Sequence, residues 1–251
     1  MDRRTQSRLL GLNKRFYEHF AGSFSSTRHH VQPGVSRLAQ QMQTARSILD
    51  VGCGNGTLSR ALLNCGFGGR YLGVDMSAHL LSKANHLLSE AMSQLDEPER
   101  STFDFRLVDL SEPAWEESIP GVPYDWLVSF AVLHHLPGDS LRQQTVSAFT
   151  QLVSPASTLA VSVWQWQNSP RLRTRVLPWS EVGIDLQDVD DGDVLLDWRA
   201  GETIGYRYVH TFTEKSLQSL AVAAGFEVVE SFYSDGKSGD LALYQVWQLD
   251  I

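Results

Sequence analysis

The chain has 251 residues, of which 42% are hydrophobic and 20% are charged, and its formal net charge at pH 7 is −8. This composition is typical of one α/β enzyme domain with an ample core. There is no apolar run long enough to span a bilayer, no signal-type apolar stretch near the start, and only two cysteines. We therefore expect a cytoplasmic protein without a disulfide framework, a membrane segment or a metal site.

Helical and strand patterns alternate along the chain. Helices are predicted over 9–20, 35–43, 58–65, 77–88, 141–152 and 214–224. Strands are predicted over 47–51, 71–74, 103–108, 124–130, 158–164, 226–233 and 242–249. Residues 23–28 are predicted to form a polar loop. The alternation indicates a doubly wound α/β fold with a seven-stranded, mostly parallel, Rossmann-like sheet. We expect a single domain over 1–251, with N-terminal helices in 1–46 and a substrate-side insertion at about 165–206.

The most informative segment is a glycine-rich turn between a predicted strand and a predicted helix. It reads Asp50-Val-Gly52-Cys-Gly54-Asn-Gly56. Glycines can adopt positive φ and let a ligand approach the backbone closely. Asp75 follows Gly56 by 19 residues, at the end of the next strand, where an acid that binds a ribose belongs. The order predicts a nucleoside-binding crevice at the carboxyl edge of the sheet.

The glycine spacing favours a cationic nucleoside over a dinucleotide. In the dinucleotide fingerprint G-x-G-x-x-G the third glycine comes one residue later, and a pyrophosphate lies on the helix N-terminus. Asp50 precedes the turn, and a carboxylate there suits a positively charged ligand better. A turn without a ligand and an NAD site are the alternatives. The segment resembles motif I, D-V-G-C-G-x-G, of the class I S-adenosylmethionine-dependent methyltransferases.

This resemblance implies S-adenosylmethionine as the cofactor. Asp109, at the end of the third strand, is placed to accept a hydrogen bond from the adenine amine. Phe130, after the fourth strand, begins the rim where the methyl group meets its acceptor. The expected cofactor site comprises Asp50, Gly52, Gly54, Gly56, Asp75, Met76, Asp109, Leu110 and Phe130.

Further segments resemble the tRNA wobble-uridine methyltransferases, which esterify the carboxylate of a carboxymethyluridine. They are residues 17–20, 24–28, 129–136, 163–164, 176–179, 192–196, 207–212 and 225–233. The family usually continues Ser-Ser-Thr-Arg with a Tyr-Lys-Pro-Trp-Pro-like stretch, which is His29-His-Val-Gln-Pro33 here. The resemblance implies tRNA as the substrate. The family's eukaryotic members also imply a small zinc-containing activator subunit.

A carboxylate acceptor is ionised at pH 7, so its methylation needs positioning rather than a general base. Arg28 and Arg207 are expected to grip the carboxylate or a nearby phosphate with their planar guanidinium groups. His134 or His135 would hold an acceptor oxygen, and His210 would add a donor. These five residues are the expected catalytic set.

Aromatic and basic residues bear on an RNA substrate. Trp164 or Trp166 is expected to stack on a splayed base, whereas Trp179 and Trp198 are expected to pack. Basic residues gather in the first 46 positions and again over 171–175, although the net charge is acidic. That acidity favours a second hypothesis, a methyltransferase for a small metabolite. A third is a catalytically silent fold that acts as a binding subunit.

Overall fold

Strands from both halves of the chain build one central sheet, and a smaller sheet lies beside it. The computed structural model describes residues 1–26, 31–94, 101–200 and 203–250. The helices are α1 (Arg3–Ser26), α2 (Pro33–Met42), α3 (Thr57–Asn64), α4 (Ala78–Met92), α5 (Asp139–Phe149), α6 (Pro170–Arg173) and α7 (Glu214–Ala223). The strands are β1 (Ser47–Val51), β2 (Arg70–Asp75), β3 (Thr102–Leu107), β4 (Trp126–Phe130), β5 (Thr158–Trp164), β6 (Val176–Leu177), β7 (Asp193–Ala200), β8 (Thr203–His210), β9 (Phe226–Ser234) and β10 (Ala242–Leu249).

The central sheet has seven strands in the order β3-β2-β1-β4-β5-β10-β9. The first five strands run parallel, and β10 pairs antiparallel with both β5 and β9. All residues of β1 are buried, because helices cover both faces of a doubly wound sheet. The strand order reverses between β1 and β4, which opens a crevice at their carboxyl ends. The predicted seven-stranded, mostly parallel fold is confirmed.

Local sequence signals account for most of these elements. All six predicted helices and all seven predicted strands are present, and β1, β5 and β10 have the predicted bounds. Ser77 caps α4 by accepting a hydrogen bond from the backbone N–H of Leu80. Gly225 follows α7 with φ of 82°, a conformation that ends helices and favours glycine. Among the described residues no helix is long and apolar enough to cross a membrane.

The predicted polar loop over 23–28 is wrong for its first four residues, because α1 continues through Ser26. Residues 27 and 28 lie outside the described part of the chain. The helix packs on β8, where a Cβ added at Gly205 would come within 2.4 Å of the Phe20 ring. Phe16 and Phe20 are buried in this contact. Tertiary packing of this kind overrides the modest helix propensity of serine.

A second, three-stranded antiparallel sheet with the order β6-β7-β8 was absent from the sequence prediction. Its β7 and β8 pair from Asp193 opposite His210 to Ala200 opposite Thr203. The side chain of Asn13 on α1 accepts from the Tyr208 N–H at 2.9 Å and donates to the Tyr208 carbonyl at 3.2 Å. We call α1 together with β6, β7 and β8 the cap. Its β6 and β7 lie within the segment expected to form the substrate-side insertion, and β8 begins there.

Candidate active site

The glycine turn follows β1 with all three glycines at positive φ: 81° at Gly52, 55° at Gly54 and 71° at Gly56. The backbone N–H of Gly52 donates to the Val74 carbonyl at 2.7 Å, which ties the turn to β2. A Cβ at Gly52 would lie 2.2 Å from Val132, so a larger residue does not fit there. A Cβ at Gly54 would meet nothing within 4 Å in the described part of the chain. The backbone at Gly54 therefore borders open space that a ligand can fill.

A first cavity of about 130 Å³ lies at the carboxyl ends of β1 and β2. It contains seven of the nine residues expected at the cofactor site: Gly52, Gly54, Asp75, Met76, Asp109, Leu110 and Phe130. Leu10, Asn13 and Tyr17 of α1 line it from the cap side. The cap thus covers the crevice that the strand order opens.

Two carboxylates of this cavity are held by backbone N–H groups. Asp75 accepts from the N–H of Gly54 and from that of Ser77, both at 2.9 Å. Burial raises the pKa of Asp75, and these hydrogen bonds oppose the rise. Asp109 accepts from the N–H and the hydroxyl of Ser111, at 3.0 and 2.6 Å. Both side chains are therefore fixed in orientation before a ligand arrives.

A second cavity of about 240 Å³ adjoins the first. Both include Gly52, Gly54, Phe130 and Ala131, so they meet at the glycine turn and the end of β4. Ala131 has φ of 59°, a strained value for a residue with a Cβ. Strain of this kind concentrates at functional sites, where the surrounding structure enforces it. The junction of the two cavities is where a transferred group would pass.

Asp50 lines the second cavity and not the first, and its side chain is buried. The Tyr71 hydroxyl donates to it at 2.6 Å. Burial raises the pKa of Asp50 to about 7, while the Tyr71 hydrogen bond opposes the rise. Gly56 lines neither cavity. A Cβ there would lie 2.9 Å from the Ser59 hydroxyl and 3.0 Å from Ala84, so Gly56 serves the packing of α3 against α4.

Arg207 on β8 projects into the second cavity with only 2% of its surface exposed. Its guanidinium carbon lies 4.4 Å from the ring centroid of Trp164 and 5.0 Å from that of Phe16. Within the described chain, its Nε and Nη1 atoms have no hydrogen-bond partner. Burial lowers the pKa of Arg207, and Tyr17 opposes the decrease. A guanidinium nevertheless stays charged, so the cavity holds a cation that lacks part of its hydrogen bonding.

Tyr17 connects Arg207 to His135, which follows β4. The Nδ1 atom of His135 lies 3.1 Å from the Tyr208 carbonyl, and its Nε2 lies 2.7 Å from the Tyr17 hydroxyl. A carbonyl only accepts, so in the neutral ring we assign the proton to Nδ1, and Nε2 accepts from Tyr17. The Tyr17 oxygen then has a lone pair for Arg207, with which it hydrogen-bonds. This chain of polar contacts connects Arg207 in the second cavity to Tyr17 and His135 in the first.

The remaining predicted catalytic residues lie elsewhere. His134 is fully buried and lines neither cavity. Its Nδ1 accepts a hydrogen bond from the backbone N–H of Trp164 at 3.3 Å. His210 bonds through Nδ1 to the Asp193 carboxylate at 2.7 Å and also lies outside both cavities. Arg28 is outside the described residues. Of the five predicted catalytic residues, the structure brings Arg207 and His135 to the cavities.

Several lining residues escaped the sequence prediction. Trp198, expected to pack, lies with Arg207 in the second cavity. Asp235 and Tyr244 line its other side, where Asp235 accepts from the Gly34 N–H at 2.9 Å and the Tyr244 hydroxyl at 2.7 Å. Of these lining residues and Tyr17, the sequence marked only Tyr17, because it lies in a segment that resembles a known family. The others reach the site through strand pairing between distant parts of the chain.

Comparison with known proteins identifies this arrangement. Residues 24–231 match the family model for a methyltransferase domain. The chain belongs to this methyltransferase family. It resembles a structure of an S-adenosylmethionine-dependent methyltransferase from Clostridium acetobutylicum, with a TM-score of 0.64, 11% identity, and coverage of 94% of this chain and 98% of the other. The open space beside Gly54 and the fixed carboxylates of the first cavity fit that cofactor.

Two relatives are tRNA (carboxymethyluridine(34)-5-O)-methyltransferases. The one from Arabidopsis thaliana is 27% identical over 169 residues, which cover 66% of this chain and 36% of that protein. The one from Schizosaccharomyces pombe is 24% identical over 226 residues, which cover 86% of this chain and 89% of that protein. The chain therefore spans about a third of the plant relative and most of the yeast one.

The raised pKa of Asp50 predicts a pH-dependent affinity for the cofactor. Because the carboxylate must ionise to attract a cation, the dissociation constant should rise by up to about tenfold per pH unit below pH 7. The unliganded fold should lose stability as pH rises from about 4 to 7, since the folded state favours the protonated acid. Isothermal titration calorimetry from pH 8 to pH 5.5 measures the first effect. Asp50→Asn should abolish the pH dependence of the dissociation constant for the cofactor. A wild-type affinity that stays constant over this pH range would contradict the prediction.

Proposed function

We propose that this enzyme methylates the carboxylate of a carboxymethyl-type modified uridine at the wobble position of tRNA. The observation that carries the proposal is the buried guanidinium of Arg207, whose Nε and Nη1 lack partners in the described structure. It lines the cavity that meets the glycine turn. A buried cation with unused donors strongly favours an anionic ligand, and the planar guanidinium matches a carboxylate in two parallel hydrogen bonds.

The first cavity supplies the cofactor half of the site. In this proposal Asp75 holds the ribose hydroxyls, Asp109 accepts from the adenine amine, and Asp50, which borders the glycine turn from the second cavity, attracts the cationic end of the cofactor. Met76, Leu110 and Phe130 provide apolar lining. When bound, S-adenosylmethionine supplies an electrophilic methyl group on a positively charged sulfur. The protein then has to hold the acceptor oxygen close to that group and exclude water.

The second cavity suits an acceptor that arrives already ionised. Its acidic lining residues are Asp50 and Asp235, and both already accept hydrogen bonds, from Tyr71 and from Gly34 and Tyr244. A hydroxyl or amine acceptor would need a base to take its proton. A carboxylate has lost its proton at neutral pH. Arg207 and Tyr17 can therefore act by orientation and charge alone, with no proton to remove.

The relatives point to the same substrate class. Two proteins named for the methylation of carboxymethyluridine 34 in tRNA align with the chain, and one alignment covers 86% of this chain. The segments that resemble this family include Arg207 and Tyr17. A small carboxylic acid is the second candidate, because the net charge of −8 disfavours attraction of a polyanion. Both candidates share the carboxylate that Arg207 would grip.

Labelled S-adenosylmethionine and two acceptor pools distinguish the candidates. One pool is tRNA that bears carboxymethyluridine, and the other is a metabolite extract of the source cells. We expect label in tRNA that mild alkali releases, as it does from a methyl ester. Label confined to small molecules would contradict the tRNA substrate.

Arg207→Ala should lower transfer to that tRNA by about 100-fold, because the acceptor loses its charged anchor, while cofactor affinity stays within about twofold. Arg173→Ala, at an exposed position on α6, is the matched control and should keep normal activity. Single-turnover kinetics and calorimetry measure the two quantities. Unchanged transfer by Arg207→Ala would refute the role of this residue.

Tyr17→Phe removes one hydroxyl and keeps the ring that lines the first cavity. The hydroxyl bonds His135 and Arg207, so its loss should lower the rate of transfer by about tenfold through misplacement of the guanidinium. Tyr233→Phe, which removes a hydroxyl from a half-exposed side chain on β9, is the control. A Tyr17→Phe enzyme with normal transfer and weakened cofactor binding would show that the hydroxyl serves the cofactor instead.

A further inference from the structure

The charge of the protein is distributed unevenly between α1 and the rest of the chain. Over Arg3–Ser26 the helix has five basic residues and one acidic residue, a formal charge of +4. Because the whole chain carries −8, the remaining residues carry −12. A helix of this charge on an acidic protein repels anions less than its surroundings do and attracts polyanions locally. The net charge of the chain therefore hides a basic surface.

The basic residues of α1 share one face. At 3.6 residues per turn they fall within an arc of about 140°. They are Arg3, Arg4, Arg8, Lys14 and Arg15, and all are exposed. The opposite arc contains the buried Leu9, Phe16 and Phe20. We call the five exposed residues the basic face.

Most of the basic face lacks internal partners. Arg8 donates to the carbonyls of Val182 and Gly183. The other four residues form no ion pair within the described structure. Like charges three or four positions apart on a helix repel one another and cost stability. A ligand with regularly spaced negative charges would relieve that repulsion.

The second basic run of the sequence is used differently. Arg175 forms an ion pair with Asp197 at 3.2 Å, and Arg173 donates to the Gln167 carbonyl at 2.6 Å. Arg171 and Arg173 remain exposed without an ion pair in the described residues. The ion pair of Arg175 reduces the charge that this run offers to a ligand. The basic face of α1 is thus the stronger candidate for a polyanion.

The basic face lies on the same helix that closes the active site. Its inner face contributes Tyr17 to the first cavity and Phe16 to the surroundings of Arg207. The helix is about 10 Å thick with its side chains, so a ligand on its outer face lies about one helix diameter from the cavities. An open groove of about 790 Å³ beside the face is lined by Arg8, Arg15 and His19 of α1 and by Tyr206 of β8.

We infer that the basic face of α1 binds the phosphate backbone of the RNA substrate. This inference rests on the proposed function and adds the surface that receives the tRNA. Arg4 and Arg15 are 11 positions apart, a separation of about 16 Å along the helix that spans several phosphates. An anionic membrane fits less well, because Leu9, Phe16 and Phe20 of α1 are buried in the fold and cannot insert among lipids.

The variant Arg4→Glu with Arg15→Glu tests the inference without touching Arg8, which has a structural contact. The matched control is Lys215→Glu with Lys237→Glu, two exposed positions on α7 and after β9 that change the net charge equally. The dissociation constant for carboxymethyluridine tRNA is measured between about 0.05 and 0.2 M salt. At low salt the α1 variant should bind the tRNA roughly tenfold more weakly than the wild type does. The slope of its log dissociation constant against log salt concentration should fall by about two units. Its cofactor affinity should equal that of the wild type.

Equal effects of the two double variants, or an unchanged salt slope in the α1 variant, would overturn the inference while tRNA methylation still stood. A wild-type enzyme that labels only small molecules would instead refute the proposed function, and the inference with it. Binding to vesicles of phosphatidylserine and phosphatidylcholine is measured in parallel. Loss of vesicle binding in the α1 variant, with tRNA binding intact, would also overturn the inference and assign the face to a membrane surface.

Discussion

The central constraint of the structure is a buried cation. Arg207 lies among aromatic rings with two of its nitrogens unpartnered in the described residues, a placement that costs free energy unless an anion completes it. Because β8 carries this residue and pairs with β7, the second sheet has to sit above the glycine turn. The paired aromatic rings and Tyr17 hold the guanidinium in a single place. Burial of this cation lowers the stability of the fold, and it leaves Arg207 preorganised to bind negative charge.

The cap explains how one helix can serve two purposes. The inner face of α1 closes the first cavity and orients Arg207, while its outer face collects the basic residues. Asn13 fastens the helix to the backbone of Tyr208, so both faces are fixed relative to the active site. An anionic polymer that docks on the outer face would therefore contact the same helix whose inner face orients the residues proposed to hold the acceptor. Separate elements for binding and catalysis would need an additional coupling between them.

The central sheet and the glycine turn could be predicted because their signals are local. Buried parallel strands form continuous apolar runs, and Gly52 and Asp75 stand at fixed positions relative to them. The second sheet could not, since Asp193, Asp197 and Arg199 interrupt the apolar pattern of β7, and β7 and β8 gain stability from pairing with each other and from packing on α1. Trp198 reaches the site through that pairing. His134 and His210 have the residue type for catalysis, but their positions place them in buried hydrogen bonds with Trp164 and Asp193.

Binding of matched acceptors tests the carboxylate site most directly. An anticodon stem-loop with carboxymethyluridine and one with the uncharged carbamoylmethyluridine differ by one charge and almost nothing in shape. Calorimetry with the S-adenosylhomocysteine-bound enzyme should give at least about tenfold tighter binding for the carboxylate, and Arg207→Gln should erase the difference. Equal affinities of the wild-type enzyme for the two stem-loops would contradict a carboxylate site at Arg207.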